Sequence, residues 1–430
     1  MRPWSVNRVR ALMRHAGPTS LIFRRRIALM GGAVLVGLAA LFFAWAADQA
    51  SEAFERLAHA NRWLPLAITP VGFALIVFVT RRYAPLAAGS GIPQVIAATS
   101  NPGNALKALV NLRMAVMKVA LTVAALLCGA SVGREGPTVQ ISAAILASVH
   151  KWLQVPMRAS VMIAGGAAGV AAAFNTPLAG ISFAIEELAS AYEQRMTLLV
   201  ITAVIISGMV TLGLAGNYVY FGIVGAHMSF GSAVVVSLAA GILGGLSGGL
   251  FSRLMLAAAR SHNALTAAIR ARPVLFAALC GLAVATVGCF SGITWGTSYA
   301  PAREIIVGHS APLWFAPAKF VTTLLTAISG LPGGIFAPSL ATGAGFGNLL
   351  HWLFPNEQAS AVVLMGMVAY FTGVVRAPLT AVIIITETTG SRGFMLPLLA
   401  AALIADASAQ LLCRERLYHG LSKNFKAAAG

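Results

Sequence analysis

Three short loops in this chain combine glycine with a closing proline: Gly89-Ser90-Gly91-Ile92-Pro93, Gly133-Arg134-Glu135-Gly136-Pro137 and Gly334-Ile335-Phe336-Ala337-Pro338. Each stands directly before an apolar stretch, with proline where a first helical turn tolerates it. The glycines let the backbone turn sharply and leave N–H groups open. A helix N-terminus carries about half a positive charge and several unpaired N–H donors. Several such termini converging at mid-membrane would hold an anion by dipoles and hydrogen bonds. Full cations would hold it too tightly for release. Small residues also serve close helix packing, the reading that suits Gly244, Gly245, Gly248 and Gly249.

Acidic residues are scarce, 12 in all, yet Glu135, Glu186, Glu187, Glu387 and Asp406 sit inside otherwise apolar runs. A carboxylate at membrane depth is costly and belongs by default to an ion pathway or proton relay. Burial favours its neutral form, which brings reversible protonation within reach of neutral pH. Glu135 lies inside one of the anion-binding loops, where its carboxylate can occupy the anion's own place and vacate it on protonation. Glu186 and Glu387 each follow a proline, Pro177 and Pro378, by nine residues. That symmetry marks them for a structural role, capping or pairing. Glu187 has no acidic counterpart, Thr388 standing in its place, and is the better functional candidate.

Other chemistry finds no support. Gly245-Leu246-Ser247-Gly248-Gly249 matches a nucleophile elbow without the strand–turn–helix it requires. The eight histidines form no zinc-binding pair, and Gly343, Gly345 and Gly347 are followed by no P-loop lysine. Cys128, Cys280, Cys289 and Cys413 contain no C-x-x-C pair and read as packing residues. No cofactor or metal is expected.

The elements that must position these residues follow from composition. Of 430 residues 58% are apolar and 10% charged, and mean hydropathy is +0.82. Soluble domains carry about a quarter charged residues, so a soluble enzyme is excluded and a polytopic membrane protein is indicated. No Asp, Glu, Lys or Arg lies between Arg195 and Arg253, room for two crossings of about 20 residues each. The net charge of +18 sits in clusters beside apolar runs: Arg2, Arg8, Arg10, Arg14, Arg24, Arg25 and Arg26; Arg253 to Arg272; and Arg414, Arg416, Lys423 and Lys426. The positive-inside bias places these segments in the cytoplasm, and nucleic-acid binding is not expected. Ile27 to Ala47 is longer than a signal h-region of about 7–15 residues and reads as a retained first helix.

Charged or polar connectors are read at Asp48 to Arg62, Leu188 to Arg195, Arg253 to Pro273 and Ser291 to Ala311. Several of the apolar segments between them are too short or glycine-rich for simple spans, a pattern tolerated only inside protein or along a cavity. Two halves are visible. At a constant offset of 201, Lys118, Thr122, Gly129, Gly133, Pro137, Gly165, Pro177 and Leu178 match Lys319, Thr323, Gly330, Gly334, Pro338, Gly366, Pro378 and Leu379. Lysine and proline are scarce here, so one gap-free frame holding them argues for internal duplication. Transporter folds often invert the second copy.

The three loops, in this order and spacing, together with the late Tyr418, resemble the anion-site signatures of the CLC chloride channel and transporter family. The resemblance runs from about Arg24 to Tyr418. It implies an all-α polytopic membrane protein of two inverted repeats with many tilted and broken helices. The expected division is a basic cytoplasmic segment at 1–26, a first transmembrane repeat at 27–215, a second at 216–418 and a short cytoplasmic tail at 419–430. It implies a homodimer in the inner membrane, both termini cytoplasmic, with a chloride pathway in each subunit. In that family's terms the hydroxyls of Ser90 and Tyr418 and the backbone N–H groups of Ile335 and Phe336 hold chloride. Glu135 becomes the external gating glutamate, and Glu187, by the motif Phe174-Asn175-x-Pro177-Leu178 followed by Glu186-Glu187, the internal proton-transfer glutamate of exchangers. Chloride/proton antiport is therefore expected. A passive gated chloride channel with the same anion site is the alternative. Ser90 suits chloride, Gln94 stands where many relatives carry Glu, and no nucleotide-binding regulatory domain is expected after Tyr418.

Overall fold

The computed structural model describes residues 18–189, 194–216, 219–261, 271–309 and 311–429. Residues 1–17 of the basic N-terminal segment, and parts of the second, third and fourth connectors, lie outside them. The helices in chain order are α1 (Pro18–Ala60), α2 (Pro65–Tyr83), α3 (Ile92–Ser100), α4 (Pro102–Ala108), α5 (Leu112–Leu127), α6 (Glu135–Trp152), α7 (Ala159–Phe174), α8 (Pro177–Phe183) and α9 (Gln194–Ala215). The second half has α10 (Phe230–Arg260), α11 (Pro273–Ser291), α12 (Tyr299–Val307), α13 (Phe315–Ile328), α14 (Phe336–Leu353), α15 (Ala359–Val375), α16 (Pro378–Thr389), α17 (Met395–Leu412) and α18 (Leu417–Ala429).

Among the described residues six helical stretches are long and apolar enough to cross a membrane, and α4 with α5, bent by 51° where they join, make a seventh when counted as one span. Others, among them α7, α13, α15 and α16, are apolar but short. A helix that is apolar on every side belongs inside a protein or against lipid. Here α7 and α15 are the inside kind, buried along nearly their whole length. The glycines of α10 are packing residues as expected: Gly245 lies against the Ala405 backbone and Gly248 against the carbonyl of Tyr370.

Three of the connectors are corrected, and Arg253 to Arg260 of the third belong to α10. The first helix does not end near Ala47 but runs to Ala60, because Glu52, Ala53, Glu55, Arg56 and Leu57 favour helix and Glu52 pairs with Arg56 one turn on, at 3.0 Å. The stretch from Ser291 to Ala311 is not merely a connector, since it contains α12.

The duplication is visible in three dimensions as a matching order of helices, and the bonds between the halves fit the inverted relation expected of this fold. At the repeat offset, α5, α6, α7 and α8 match α13, α14, α15 and α16. Even the helix ends agree: Asn175 after α7 and Arg376 after α15 both take left-handed backbone, φ 56° and 64°. The halves meet through reciprocal bonds. Gly133 N–H donates to the Gly334 carbonyl at 2.7 Å, and Gly334 N–H donates back at 2.8 Å, an antiparallel exchange. A two-fold relation between copies produces such swaps.

Candidate functional site

The starts of α6 and α14 face each other at the Gly133–Gly334 exchange, and the loop before α3 joins them. Gly91 has φ +105°, which a side chain resists, and a Cβ on Gly136 would strike the Ser90 hydroxyl. Those two glycines let Ser90, Glu135 and the first turn of α14 come together.

Glu135 is fully buried. Its Oε2 accepts a hydrogen bond from the Ala337 N–H at 3.4 Å, and its Oε1 accepts from the Tyr299 hydroxyl. The carboxylate thus sits at the N-terminus of α14, where the helix dipole and free donors favour negative charge. Ile335 and Phe336, at this same helix start, are buried. The Phe336 ring is enclosed by Phe183, Phe371 and Tyr418, with centroids 5.8, 5.0 and 5.9 Å away. Ser90 Oγ and Tyr418 Oη are buried close to one another, and neither makes a well-formed hydrogen bond. Buried hydroxyls are seldom left in that state. A cavity of about 200 Å³ reaches them, lined by Gly89, Ser90, Ile335, Tyr418, Asn424 and Phe425 among others. Ser90, Ile335, Phe336, Tyr418 and Glu135 are thus gathered around the start of α14, and Ser90, Ile335 and Tyr418 line the cavity.

Over Glu135 lies a group that the sequence did not disclose. Tyr299 opens α12 and packs against Tyr220, ring centroids 4.2 Å apart. Arg134 donates to the Tyr220 hydroxyl at 3.0 Å, to Asp48 at 2.6 Å and to the Ala44 carbonyl at 2.7 Å. Asp48 is 58% exposed, so this chain of polar groups runs from the surface to the buried carboxylate.

The repeat-related lysines have equivalent structural roles. Lys118 donates to the carbonyls of Ala87 and Gly89 at 2.8 and 2.5 Å. Lys319 donates to those of Thr294 and Gly296 at 3.0 and 2.8 Å. Each clamps a loop leading into a helix start, α3 in one half and α12 in the other. That equivalence was the available signal for Tyr299, which stands three residues after Gly296 as Ile92 stands three after Gly89. Gln94 supports the first loop by donating to the carbonyls of Leu86 and Ala88, a task for which an ionised Glu lacks the hydrogen.

Glu187 is placed elsewhere, in a π-helical turn, Ala184–Leu188, that follows α8. Such turns recur at functional positions. Its side chain is fully enclosed, with Oε1 3.2 Å from His419 Nδ1 and Oε2 without a partner. Its neighbour behaves differently. Glu186 accepts from the N–H groups of Leu379 and Thr380 at 3.0 and 2.7 Å, and Glu387 accepts from those of Leu178 and Ala179 at 3.3 and 3.0 Å. Each repeat thus caps a helix start of the other, the structural role their symmetry suggested. Asp406 pairs with Arg376 at 3.0 Å. Among the described residues no cluster of His, Cys, Asp or Glu is arranged for a metal ion.

Comparison with known proteins gives a consistent picture. The profile of the family described as voltage gated chloride channel matches residues 72–410. The H(+)/Cl(-) exchange transporter ClcA of Vibrio cholerae is 32% identical over an alignment covering 94% of this chain and 89% of its own length. The protein of the same name from Cronobacter sakazakii is 32% identical over 90% of this chain and 86% of its own. Among solved structures, a slow cyanobacterial Cl-/H+ antiporter superposes with a TM-score of 0.80 at 22% identity, covering 94% of this chain and 98% of that one. A CLC-type fluoride/proton antiporter superposes with a TM-score of 0.75 at 20% identity, covering 93% and 98%. At those identities the two structures bear on the fold alone.

Proposed function

The chain belongs to the voltage-gated chloride channel family, and we propose that it exchanges chloride for protons across the bacterial inner membrane, working as a homodimer with both termini in the cytoplasm. The observation that carries this reading is the Glu135 carboxylate at the start of α14, the place a transported anion would take. While ionised, Glu135 competes with chloride for the same helix dipole and the same N–H donors. Protonation cancels its charge and weakens its hold, so chloride takes its place. Proton binding and anion binding at one position are then alternatives, which is the basis of exchange.

The chloride is held by the Ser90 and Tyr418 hydroxyls and the backbone N–H groups of Ile335 and Phe336. Their support is the pair of buried hydroxyls without well-formed bonds at the head of the cavity. None of these four groups is a cation, so the site does not hold the anion too tightly for release. The aromatic ring cluster around Phe336 excludes water and strengthens the dipole attraction by lowering the local dielectric. Glu187 receives the proton at the other end of its route. Its complete burial and its lack of an acidic repeat mate support that role.

Purified protein in liposomes tests the proposal. A chloride gradient is imposed, voltage is fixed by valinomycin and potassium, and lumenal pH is followed. Protons driven uphill by chloride are expected. Chloride flux without proton movement would replace exchange by the passive channel, with the same anion site.

A further inference from the structure

The enclosure of Glu187 poses a question that its role leaves open: how a proton from water reaches a carboxylate with no exposed surface. One polar side chain contacts it among the described residues. His419 places Nδ1 3.2 Å from Glu187 Oε1 while its own side chain is 38% exposed. It follows Tyr418 directly at the start of α18, a helix packed against α3. The surroundings hold the start of α18 in position. Ser422 donates to the His419 carbonyl at 2.8 Å, and Arg416 donates to the Glu186 carbonyl at 2.8 Å, which fixes the start of α18 against the π-helical turn.

We propose that His419 is the residue that passes protons between the cytoplasmic solution and Glu187. Imidazole suits this because it bonds through two nitrogens, one facing each way. A proton from water or buffer joins Nε2, the Nδ1–H bond breaks, and that proton forms an O–H bond on Glu187. The ring stays neutral, and rotation or exchange with water restores the Nδ1–H form. One proton enters and one is delivered. The proposal rests on the reading of Glu187 as the inner proton carrier, and the two are tested separately.

His419→Ala and His419→Gln are reconstituted beside the parent protein, and chloride-driven proton uptake is measured with chloride binding by calorimetry. A positioned proton-transfer group contributes about a hundredfold or more to its step, so proton uptake is expected to fall at least about tenfold in both variants. Chloride affinity stays at the parent value, since Ser90 and Tyr418 remain. Imidazole added on the side facing α18 restores proton uptake in His419→Ala. Full proton uptake in both variants overturns the relay, because water then reaches Glu187 unaided. Loss in His419→Ala but full activity in His419→Gln also overturns it, leaving the ring as a hydrogen-bonding prop. Glu187→Gln separates the two readings. Its loss of proton transport beside active His419 variants removes the relay alone, and its full proton transport removes the reading of Glu187 with it.

Discussion

At the scale of single residues, the proposed exchange turns on a balance between a carboxylate and chloride competing for one position. Glu135→Gln removes the competitor's charge, so proton coupling is expected to disappear while anion flux persists; unchanged proton transport in liposomes would contradict its gating role. Tyr299 bears on the same balance from the other side. Its hydroxyl bonds Glu135 in place, and a hydrogen bond to a charged group contributes about 1.5–3 kcal/mol. Tyr299→Phe weakens the bound carboxylate and should raise apparent chloride affinity about tenfold, the equivalent of about 1.4 kcal/mol. Calorimetry in the Glu135→Gln background provides the control, where the same substitution should have no further effect. An unchanged affinity in the otherwise native protein would mean that Tyr299 only packs. Ser90, Glu135, Ile335 and Phe336 were legible in the sequence because each lies in a local motif of glycines and proline. Tyr299 and His419 were not, because their partners lie 164 and 232 residues away and no local spacing encodes such a pairing.

At the scale of elements, two adjacent glutamates on one turn do different work. Glu186 caps α16 and Glu387 caps α8, so each half holds a helix start of the other. Loss of a capping side chain typically costs about 0.5–2 kcal/mol. Glu186→Ala and Glu387→Ala are expected to lower the thermal midpoint in detergent while leaving the chloride-to-proton ratio unchanged, whereas Glu187→Gln changes the ratio. A shifted ratio in Glu387→Ala would show that the cap does more than hold the helix. The repeat that makes these caps symmetric was readable from scarce lysines and prolines. Its inversion was not, because a copied pattern reads the same whichever way it crosses the membrane. Only the number of crossings between the copies decides that, and short, bent or buried helices such as α4, α7 and α8 defeat the count. α12 was missed for a related reason: nine residues flanked by Ser, Thr and Gly look like connector until Lys319 is seen to anchor the loop before it.

At the scale of the whole molecule, charge and site share one axis. α1 has 43 residues and, at 1.5 Å each, is about 65 Å long, more than the roughly 30 Å of hydrocarbon it must cross. It carries Arg24, Arg25 and Arg26 toward its start and Asp48, Glu52 and Glu55 toward its end. Arg24 donates to the Leu153 carbonyl just beyond α6. At that same end α18 packs on α3, bringing Arg414, Arg416 and Lys423 to the basic face. Glu415 there bonds Arg260 and lies 2.6 Å from Lys423. Its hydrogen bond from Arg260 is the main reason its carboxyl is held down at about 2. A depressed carboxyl stabilises the folded state above its unfolded value of about 4.3, and that contribution fades only as pH falls toward 2. The clasp on α18 therefore persists at neutral pH. In the proposed orientation, with this basic face cytoplasmic by the positive-inside bias, Asp48 and the chain of groups leading to Glu135 are external. In a cysteine-free background, membrane-impermeant maleimide should label Asp48→Cys from outside intact cells and Asn424→Cys only from the cytoplasmic side of inverted vesicles. Labelling of both from one side would break the assignment of Glu135 to outer gating and Glu187 to inner proton entry, because the two ends of the pathway would no longer lie across the membrane from each other.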